Sequence, residues 1–272
     1  DPFHYSKWQT SVATNNSIYN NYIPWINVEN GNGPNTGAMW NYSDVSGLYY
    51  EQEEIYGIPG TGGNSVNSYG NYHAHIFTSS GQFTTPSSGE IDFLIVAGGG
   101  AGGFALAGGG GGGGGIIGNK YTLPGGTYNI TVGAGGIGQN HRNSHAPDGG
   151  NSSIIGNGVS FIAPGGGGGG GANNNNVYVG NPGGSGAGHE GWNNDKVSAV
   201  AQYYNSSGVL TTLTGGSVEI VPGVTAYGNP GGPGGRSHRP TGGGGSGKPG
   251  IGNTGGTDVQ AHGGDGIQNN FY

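Results

Sequence analysis

Two pairs of histidines in this sequence have the spacing of metal ligands. His73 and His75 lie two residues apart, so on an extended strand their imidazoles share one face, and imidazole is a common metal ligand. His141 and His145 form the second pair. Two imidazoles alone are more often surface side chains, and the chain has no cysteine to supply a thiolate ligand. We therefore expect no metal ion and no cofactor.

Charged residues are scarce. Lys+Arg 7 and Asp+Glu 14 give a formal net charge of −7, and the charged fraction is 8%, against about 25% in an ordinary globular protein. The sequence has no basic run, so we do not expect nucleic acid as a partner. Glu51, Glu53 and Glu54 form an acidic cluster that could bind Ca²⁺. Such a cluster more often forms a solvated face, which is our prediction here.

Two glycine motifs match nucleotide-binding patterns. Residues 133–138 spell G-x-G-x-x-G, but roughly four chance matches are expected in so glycine-rich a chain, and residues 139–143 do not begin a helix. Residues 242–248 spell G-x-x-x-x-G-K, but Pro249 stands where a Ser or Thr would bind Mg²⁺. The sequence also lacks the G-x-S-x-G and H-E-x-x-H motifs. We predict that the protein has no catalytic residues and is not an enzyme.

The elements that must position all these residues are strands that run directly into glycine tracts. Residues 91–97, Ile-Asp-Phe-Leu-Ile-Val-Ala, predict a buried strand, since six of the seven are apolar and Phe, Ile and Val favour strands. A tract follows that contains eight consecutive glycines at 108–115. Strand-like runs enter further tracts at Gly133, Gly165 and Gly228.

Such tracts are either disordered linkers or packed backbones. Gly 69 and Pro 14 of 272 residues exceed the level of about 25–30% at which an aperiodic chain is usually considered low-complexity. A flexible linker, however, has no reason to begin four times at the end of a strand-like run. We therefore predict that the tracts are ordered.

An ordered glycine tract suits a left-handed extended helix with three residues per turn and a rise of about 3.1 Å per residue. This helix has no internal hydrogen bonds, so its N–H and C=O groups must bond to neighbouring chains. We predict an all-β fold: a β-sandwich or jelly-roll-like scaffold with inserted, laterally packed polyglycine II helices. The predicted polyglycine core contains Gly98, Gly108, Gly111, Gly115, Gly165, Gly168 and Gly171.

Further strands are predicted around this core. Residues 73–78 and 82–86 predict a hairpin that leads into 91–97, and residues 196–214 predict another that turns at 205–208. Residues 218–222 predict one more strand, and the tail from 228 to 266 predicts additional polyglycine helix. No stretch approaches 18 apolar residues, so we expect no membrane span. The chain begins at Asp1 rather than Met, which suggests that an upstream portion is missing.

Four ordered blocks of this sequence resemble the glycine-rich domain family. They are His-Ile-Phe-Thr-Ser-Ser-Gly-Gln-Phe-Thr at 75–84, Phe-Leu-Ile-Val-Ala-Gly-Gly-Gly at 93–100, Gly-Thr-Tyr-Asn-Ile-Thr-Val-Gly-Ala-Gly-Gly at 126–136 and Gly-Asn-Ser-Ser-Ile at 150–154. The resemblance covers about residues 72–270. The family occurs in tail-fibre and structural proteins of phages and in large viruses. The resemblance implies an extracellular or virion-surface β scaffold that builds fibres or adheres.

The first 71 residues differ in character from the rest. They hold no long glycine tract and are rich in Asn and in large aromatic residues. Aromatic side chains beside amides suit sugar stacking or a protein interface, although they could also form a small core. We predict two parts: an N-terminal interaction segment, 1–71, and a glycine-rich β domain, 72–272. The interface candidates are Trp8, Trp25, Trp40, Tyr49, Tyr50 and Tyr56.

Two functions fit these features. The first is a structural building block of an extracellular or virion-surface fibre, whose partners are copies of itself or other fibre subunits. The second is the receptor-binding tip of a tail fibre, which would recognise a cell-surface glycan or protein through exposed loops. The loop candidates are Asn174, Asn175, Tyr178, Arg236, His238 and Arg239.

Overall fold

The computed structural model describes residues 60–70, 72–104, 107–138, 140, 145–173, 176, 177, 179–189, 198–234, 240–252 and 261–268. These residues form fifteen β-strands and no helix, which confirms the all-β class. None of them therefore belongs to a helix that could cross a membrane. The strands are β1 (Thr61–Gly62), β2 (Ser65–Tyr69), β3 (Tyr72–Ile76), β4 (Gly81–Thr85), β5 (Gly89–Val96), β6 (Gly115–Leu123), β7 (Gly126–Thr131), β8 (Ser152–Gly156), β9 (Val159–Ala163), β10 (Ala172–Asn173), β11 (Asn176–Val177), β12 (Ala201–Tyr204), β13 (Leu210–Leu213), β14 (Ser217–Val221) and β15 (Val224–Tyr227).

Two antiparallel sheets make up the body. One has five strands in the order β1-β4-β7-β8-β9, and the other has four in the order β14-β15-β6-β5. The pairs β2–β3, β10–β11 and β12–β13 form three smaller antiparallel sheets. Strands β1 and β2 precede residue 72, the boundary suggested by the sequence, and β1 pairs with β4 in the five-stranded sheet.

The two large sheets contribute to one apolar core. The four-stranded sheet supplies Ile116 and Val224, and the five-stranded sheet supplies Tyr128 and Phe161, all of them buried. Burying a large apolar side chain contributes about 1.5–3 kcal/mol, so this cluster provides the main stabilisation of the strands. The hydroxyl of Tyr128 donates a hydrogen bond to the carbonyl of Pro124, which satisfies the polar group at the end of this buried ring.

Strand β5 corrects the prediction of a fully buried strand at 91–97. It lies at the edge of the four-stranded sheet, where only β6 pairs with it. Its side chains alternate, with Phe93 and Ile95 buried while Leu94 and Val96 are 47% and 59% exposed. An apolar run without polar alternation resembles a strand covered on both faces, so periodicity alone gave no sign of the exposed face.

A glycine in β6 makes room for an aromatic cluster. Gly118 pairs with Phe93, whose ring occupies the space where a Cβ of residue 118 would lie. That ring stacks on Phe161 at a centroid distance of 5.3 Å and meets Tyr121 edge-on at 6.0 Å. The ring therefore has neighbours on more than one side and cannot move aside freely.

We expect Gly118→Ala to destabilise the protein by about 1–3 kcal/mol, because the added methyl group overpacks the Phe93 ring. Gly115→Ala in the same strand is the control, since a Cβ there would meet only Tyr227 Cβ at 3.9 Å and Ser246 Oγ at 4.0 Å. Urea unfolding of both variants measures the difference. Equal losses of stability would contradict the proposed role of Gly118.

The predicted hairpins have different outcomes. The pairing of 73–78 with 82–86 is wrong: β3 pairs with β2, and β4 pairs with β1 and β7. The side chain of Asn64 accepts N–H bonds from Thr78 and Ser79, which directs the chain away from a β3–β4 turn. The hairpin of β12 and β13 is confirmed, with its turn at Asn205 to Gly208, and so is the strand β14.

The glycine-rich insertions leave the sheets at one end. In the four-stranded sheet, Val96 and Tyr227 both pair with Gly115. In the five-stranded sheet, the ends of β7 and β9 lie beside the start of β8. Short connections occupy the other end, such as the two-residue turn of Asn157 and Gly158, whose φ angles of 44° and 81° are typical of a type I′ hairpin. The four predicted strand-to-glycine junctions thus lie side by side.

Candidate functional site: a core of glycine tracts

Four stretches between or after the strands contain the glycine tracts. The described tract residues are 97–104 and 107–114 between β5 and β6, 132–138 and 145–151 between β7 and β8, 164–171 and 179–189 between β9 and β12, and 228–234, 240–252 and 261–268 after β15. Apart from an isolated bridge at Gly183, these residues belong to no strand. Their backbone groups nevertheless bond extensively to one another.

Hydrogen bonds of the eight-glycine run repeat every three residues. One set of N–H groups donates to tract 164–171 at N···O distances of 3.0, 2.8 and 2.9 Å: Gly108 to Gly170, Gly111 to Gly167, and Gly114 to Pro164. The carbonyls of the same three residues accept hydrogen bonds from N–H groups of tract 97–104, which belong to Gly103, Gly100 and Ala97, respectively. A β ladder repeats every two residues, so this pattern is not that of a strand.

The next position of the repeat faces two other tracts. Gly109 and Gly112 donate to the carbonyls of Thr241 and Gly244 at 3.0 and 2.9 Å. Their own carbonyls accept bonds from Gly188 at 2.8 Å and Ser185 at 3.0 Å. The run therefore bonds to four neighbouring tracts, whereas a strand in a sheet bonds to two at most.

Burial follows the same repeat. Gly108, Gly111 and Gly114 are buried, while the residues between them are partly exposed. Residues 165–171 are buried throughout, which places that tract in the interior. Residues 261–268 are half-buried only at positions 261, 264 and 267, as expected of an outer tract with one side against its neighbours.

Close approach of the backbones excludes side chains at most of the predicted core positions. A Cβ added at Gly98, Gly108, Gly111, Gly165 or Gly168 would lie within 3.0 Å of a backbone carbonyl oxygen of another tract segment. Gly171 is buried. Gly115 differs, because it is the first residue of β6 and has space for a methyl group. Only glycine fits the crowded positions, as at the axis of collagen.

Polar side chains within the tracts bond to tract backbone groups that have no backbone partner within the described part of the chain. Asp148 accepts the N–H of Gly168 at 2.7 Å, and Asn151 accepts that of Gly165 at 2.9 Å. A second group, formed by Ser185, Asn229 and Thr241, is buried among the tracts. Sequence reasoning missed all five. The signal that could have found them is a lone polar residue with a short side chain inside a glycine tract.

We expect Thr241→Val to cost about 1–3 kcal/mol, because it leaves buried backbone groups without partners. The Thr241 hydroxyl accepts the His189 N–H at 2.7 Å and donates to the Gly232 carbonyl at 2.9 Å. Valine keeps the shape but supplies neither bond. Thr122→Val, at an exposed position of β6, is the control and should change stability by less than about 0.5 kcal/mol. Thermal unfolding of the two variants is the measurement, and equal melting temperatures would show that the hydroxyl bonds are unimportant.

The residues with possible chemistry do not converge on a site. His73 bonds to the Ser68 hydroxyl at 3.0 Å, and His75 bonds to the Gly62 carbonyl at 2.8 Å. Lys248 forms an exposed ion pair with Asp265 at 2.6 Å, and this hydrogen bond lowers the pKa of Asp265 and raises that of Lys248. Among the described residues, no three His, Cys, Asp or Glu side chains are grouped as metal ligands.

Several predicted residues lie outside the described part of the chain. They are the acidic cluster Glu51, Glu53 and Glu54, His141, the interface candidates Trp8, Trp25, Trp40, Tyr49, Tyr50 and Tyr56, and the loop candidates Asn174, Asn175, Tyr178, Arg236, His238 and Arg239. The roles assigned to these residues remain predictions.

The strands and tracts together define a class of protein: an all-β body with a core of laterally bonded glycine backbones. The model of the glycine-rich domain family matches residues 78–268, and the chain belongs to this family. No curated protein and no solved structure matches it.

Proposed function

We propose that the tracts form a bundle of polyglycine II helices inserted at one end of a β-sandwich, in a jelly-roll-like arrangement. The threefold repeat of hydrogen bonds supports this proposal, since a polyglycine II helix has three residues per turn. The backbone angles agree with it as well. The described glycines with positive φ lie at turns and strand ends, and none lies in a tract.

The function that this body supports best is that of a non-enzymatic building block of an extracellular or virion-surface fibre, self-associating through its N-terminal segment. The observation that carries the proposal is the bonding of one tract to four others. Such a core is built mainly of backbone, and the polar side chains buried in it bond to backbone groups: Ser185, His189, Asn229 and Thr241. The sequence resembles the glycine-rich domain family, which occurs in tail-fibre proteins, and this resemblance also supports the proposal.

The second candidate is a receptor-binding tip for a glycan or protein on a cell surface. The common direction of the insertions favours it, because loops that join neighbouring tracts would gather at one end of the molecule. Residues 174–178 and 235–239, which hold the loop candidates, fall between described tract residues in the sequence. Binding loops are commonly carried by a rigid scaffold in this way.

Negative-stain electron microscopy of the purified chain at several concentrations separates the two candidates. Filaments that lengthen with concentration would support the building block. Discrete particles that bind cells would support the receptor-binding tip. Particles that stay single at every concentration and bind no cell would contradict both.

A further inference from the structure

The outer face of the five-stranded sheet is polar but carries no charge. None of its strands contains Asp, Glu, Lys, Arg or His. The inward side chains, such as Tyr128 and Phe161, belong to the core. The exposed outward side chains, which we call the hydroxyl–amide face, are Thr61, Gln82, Thr84, Thr127, Asn129, Thr131, Ile155 and Ser160.

The register arranges these side chains in rows across the strands. Thr61, Thr84 and Thr127 are successive cross-strand partners. The adjacent row consists of Gln82, Asn129, Ile155 and Ser160. Because neighbouring strands lie about 4.8 Å apart, three strands present a row of hydroxyls about 10 Å long. That is roughly the length of two linked pyranose rings.

Hydrogen bonds between the side chains hold the rows in place. The hydroxyls of Thr84 and Thr127 are 3.1 Å apart, and Gln82 Nε2 donates to Asn129 Oδ1 at 3.1 Å. The remaining amide acceptor of Gln82 and donor of Asn129 have no partner among the described residues. Since these side chains are already held in place, a ligand that bonds to them immobilises them at a smaller cost in side-chain conformational entropy.

The side-chain types on the hydroxyl–amide face indicate which class of ligand it can bind. A nucleic acid or an anionic polymer requires cationic side chains, which the face lacks. A protein interface requires an apolar or aromatic centre, and the large apolar side chains on this side of the sheet are only Ile155, 40% exposed, and the half-buried Ile162 near its edge. A neutral sugar chain offers hydroxyls that both donate and accept, which matches Thr, Ser, Asn and Gln. We propose that the hydroxyl–amide face binds a neutral polysaccharide. This site lies on strands, apart from the loop candidates, and does not depend on the fibre role.

The test measures binding of the full chain to neutral probes (dextran, mannan, galactan and a β-glucan) and to dextran sulfate as the charged counterpart. We expect the chain to bind at least one neutral probe. We also expect that the sulfate groups of dextran sulfate do not cause binding. The double variant Gln82→Ala/Asn129→Ala should weaken this binding at least fivefold, since it removes the amide groups of one row. The matched control is Glu90→Ala/Thr122→Ala, an exposed cross-strand pair on the other sheet. Binding of the control should equal that of the unmodified chain.

Three results would overturn the proposal: no binding to any neutral probe, binding to dextran sulfate alone, or equal binding by the Gln82/Asn129 variant and the unmodified chain. The melting temperature of both double variants is measured in parallel, and exposed positions should leave it unchanged. Tyr178→Ala and Arg236→Ala test the receptor-binding tip separately. Loss of sugar binding in these loop variants, with normal binding in the Gln82/Asn129 variant, would place the site on the loops and reject the face.

Discussion

Gly111→Val is expected to reduce the free energy of unfolding by several kcal/mol, on the order of 3–5, through overpacking and broken hydrogen bonds. A Cβ at this position would collide with the carbonyl of Ser185. The tract that holds Ser185 cannot withdraw without breaking its own bonds, since the Ser185 N–H donates to the Gly112 carbonyl and the Ser185 carbonyl accepts the Gly167 N–H, each at 3.0 Å. Gly168→Val should have a similar effect, because a Cβ there would collide with the carbonyl of Ala146. Denaturant unfolding monitored by circular dichroism is the measurement.

A pair of alanine variants isolates the steric cause of this effect. In Gly111→Ala the new methyl group meets backbone, whereas in Gly99→Ala the nearest heavy atom is the Gly111 carbonyl oxygen at 3.7 Å, an ordinary contact. Both changes reduce the entropy of the unfolded chain equally. Only Gly111→Ala should therefore be strongly destabilising. Unchanged stability of the valine variants at both 111 and 168 would mean that the tracts behave as linkers.

Removal of residues 1–59 is expected to leave a folded protein that no longer self-associates. Large aromatic side chains at a protein surface commonly mark an interface, and Trp8, Trp25 and Trp40 all lie in the removed segment. The deletion must stop before Gly60, because the ring of Phe83 lies where a Cβ of Gly60 would be, and β1 and β2 follow directly. Analytical ultracentrifugation of the full and shortened chains measures association, and circular dichroism checks the fold.

Salt provides the control for this prediction. With a charged fraction of 8%, association must rest on apolar contacts and backbone bonds, so it should persist at high ionic strength. If the shortened chain unfolds, the N-terminal segment is part of the core. The interface would then be sought among the loop candidates around 174–178 and 236–239.

The sequence predicts where a strand ends and a glycine tract begins, because the change from apolar residues to glycines occurs within a few neighbouring residues. The apolar residues before Gly98, Gly133, Gly165 and Gly228 are sufficient to place the ends of β5, β7, β9 and β15. Sequence patterns cannot predict which tract bonds to which, since consecutive glycines carry no side chains that would distinguish one partner from another. The pairing of Gly111 with Gly167 depends on how the sheets bring their ends together.

Strand pairing is less predictable from the sequence than strand position. Strands β3 and β4 lie near their predicted places. The prediction that they pair as a hairpin was wrong because it took no account of β2, which pairs with β3, or of Asn64, whose side chain accepts the Thr78 N–H. Asp148 and Asn151 escaped notice for a related reason. Their importance comes from the tract N–H groups opposite them, which lie 20 and 14 residues away in sequence, respectively.

The threefold repeat of hydrogen bonds also constrains how such a protein can change length during evolution. In the polyglycine II helix that we propose, inserting a single residue into the run at 108–114 would rotate every following glycine by about a third of a turn, so that its N–H and C=O groups faced the wrong neighbours. Inserting three residues would restore the phase and lengthen the proposed helix by about 9 Å. Insertions and deletions should therefore accumulate in multiples of three amino acids, in register between neighbouring tracts, while the strands that anchor them keep their length.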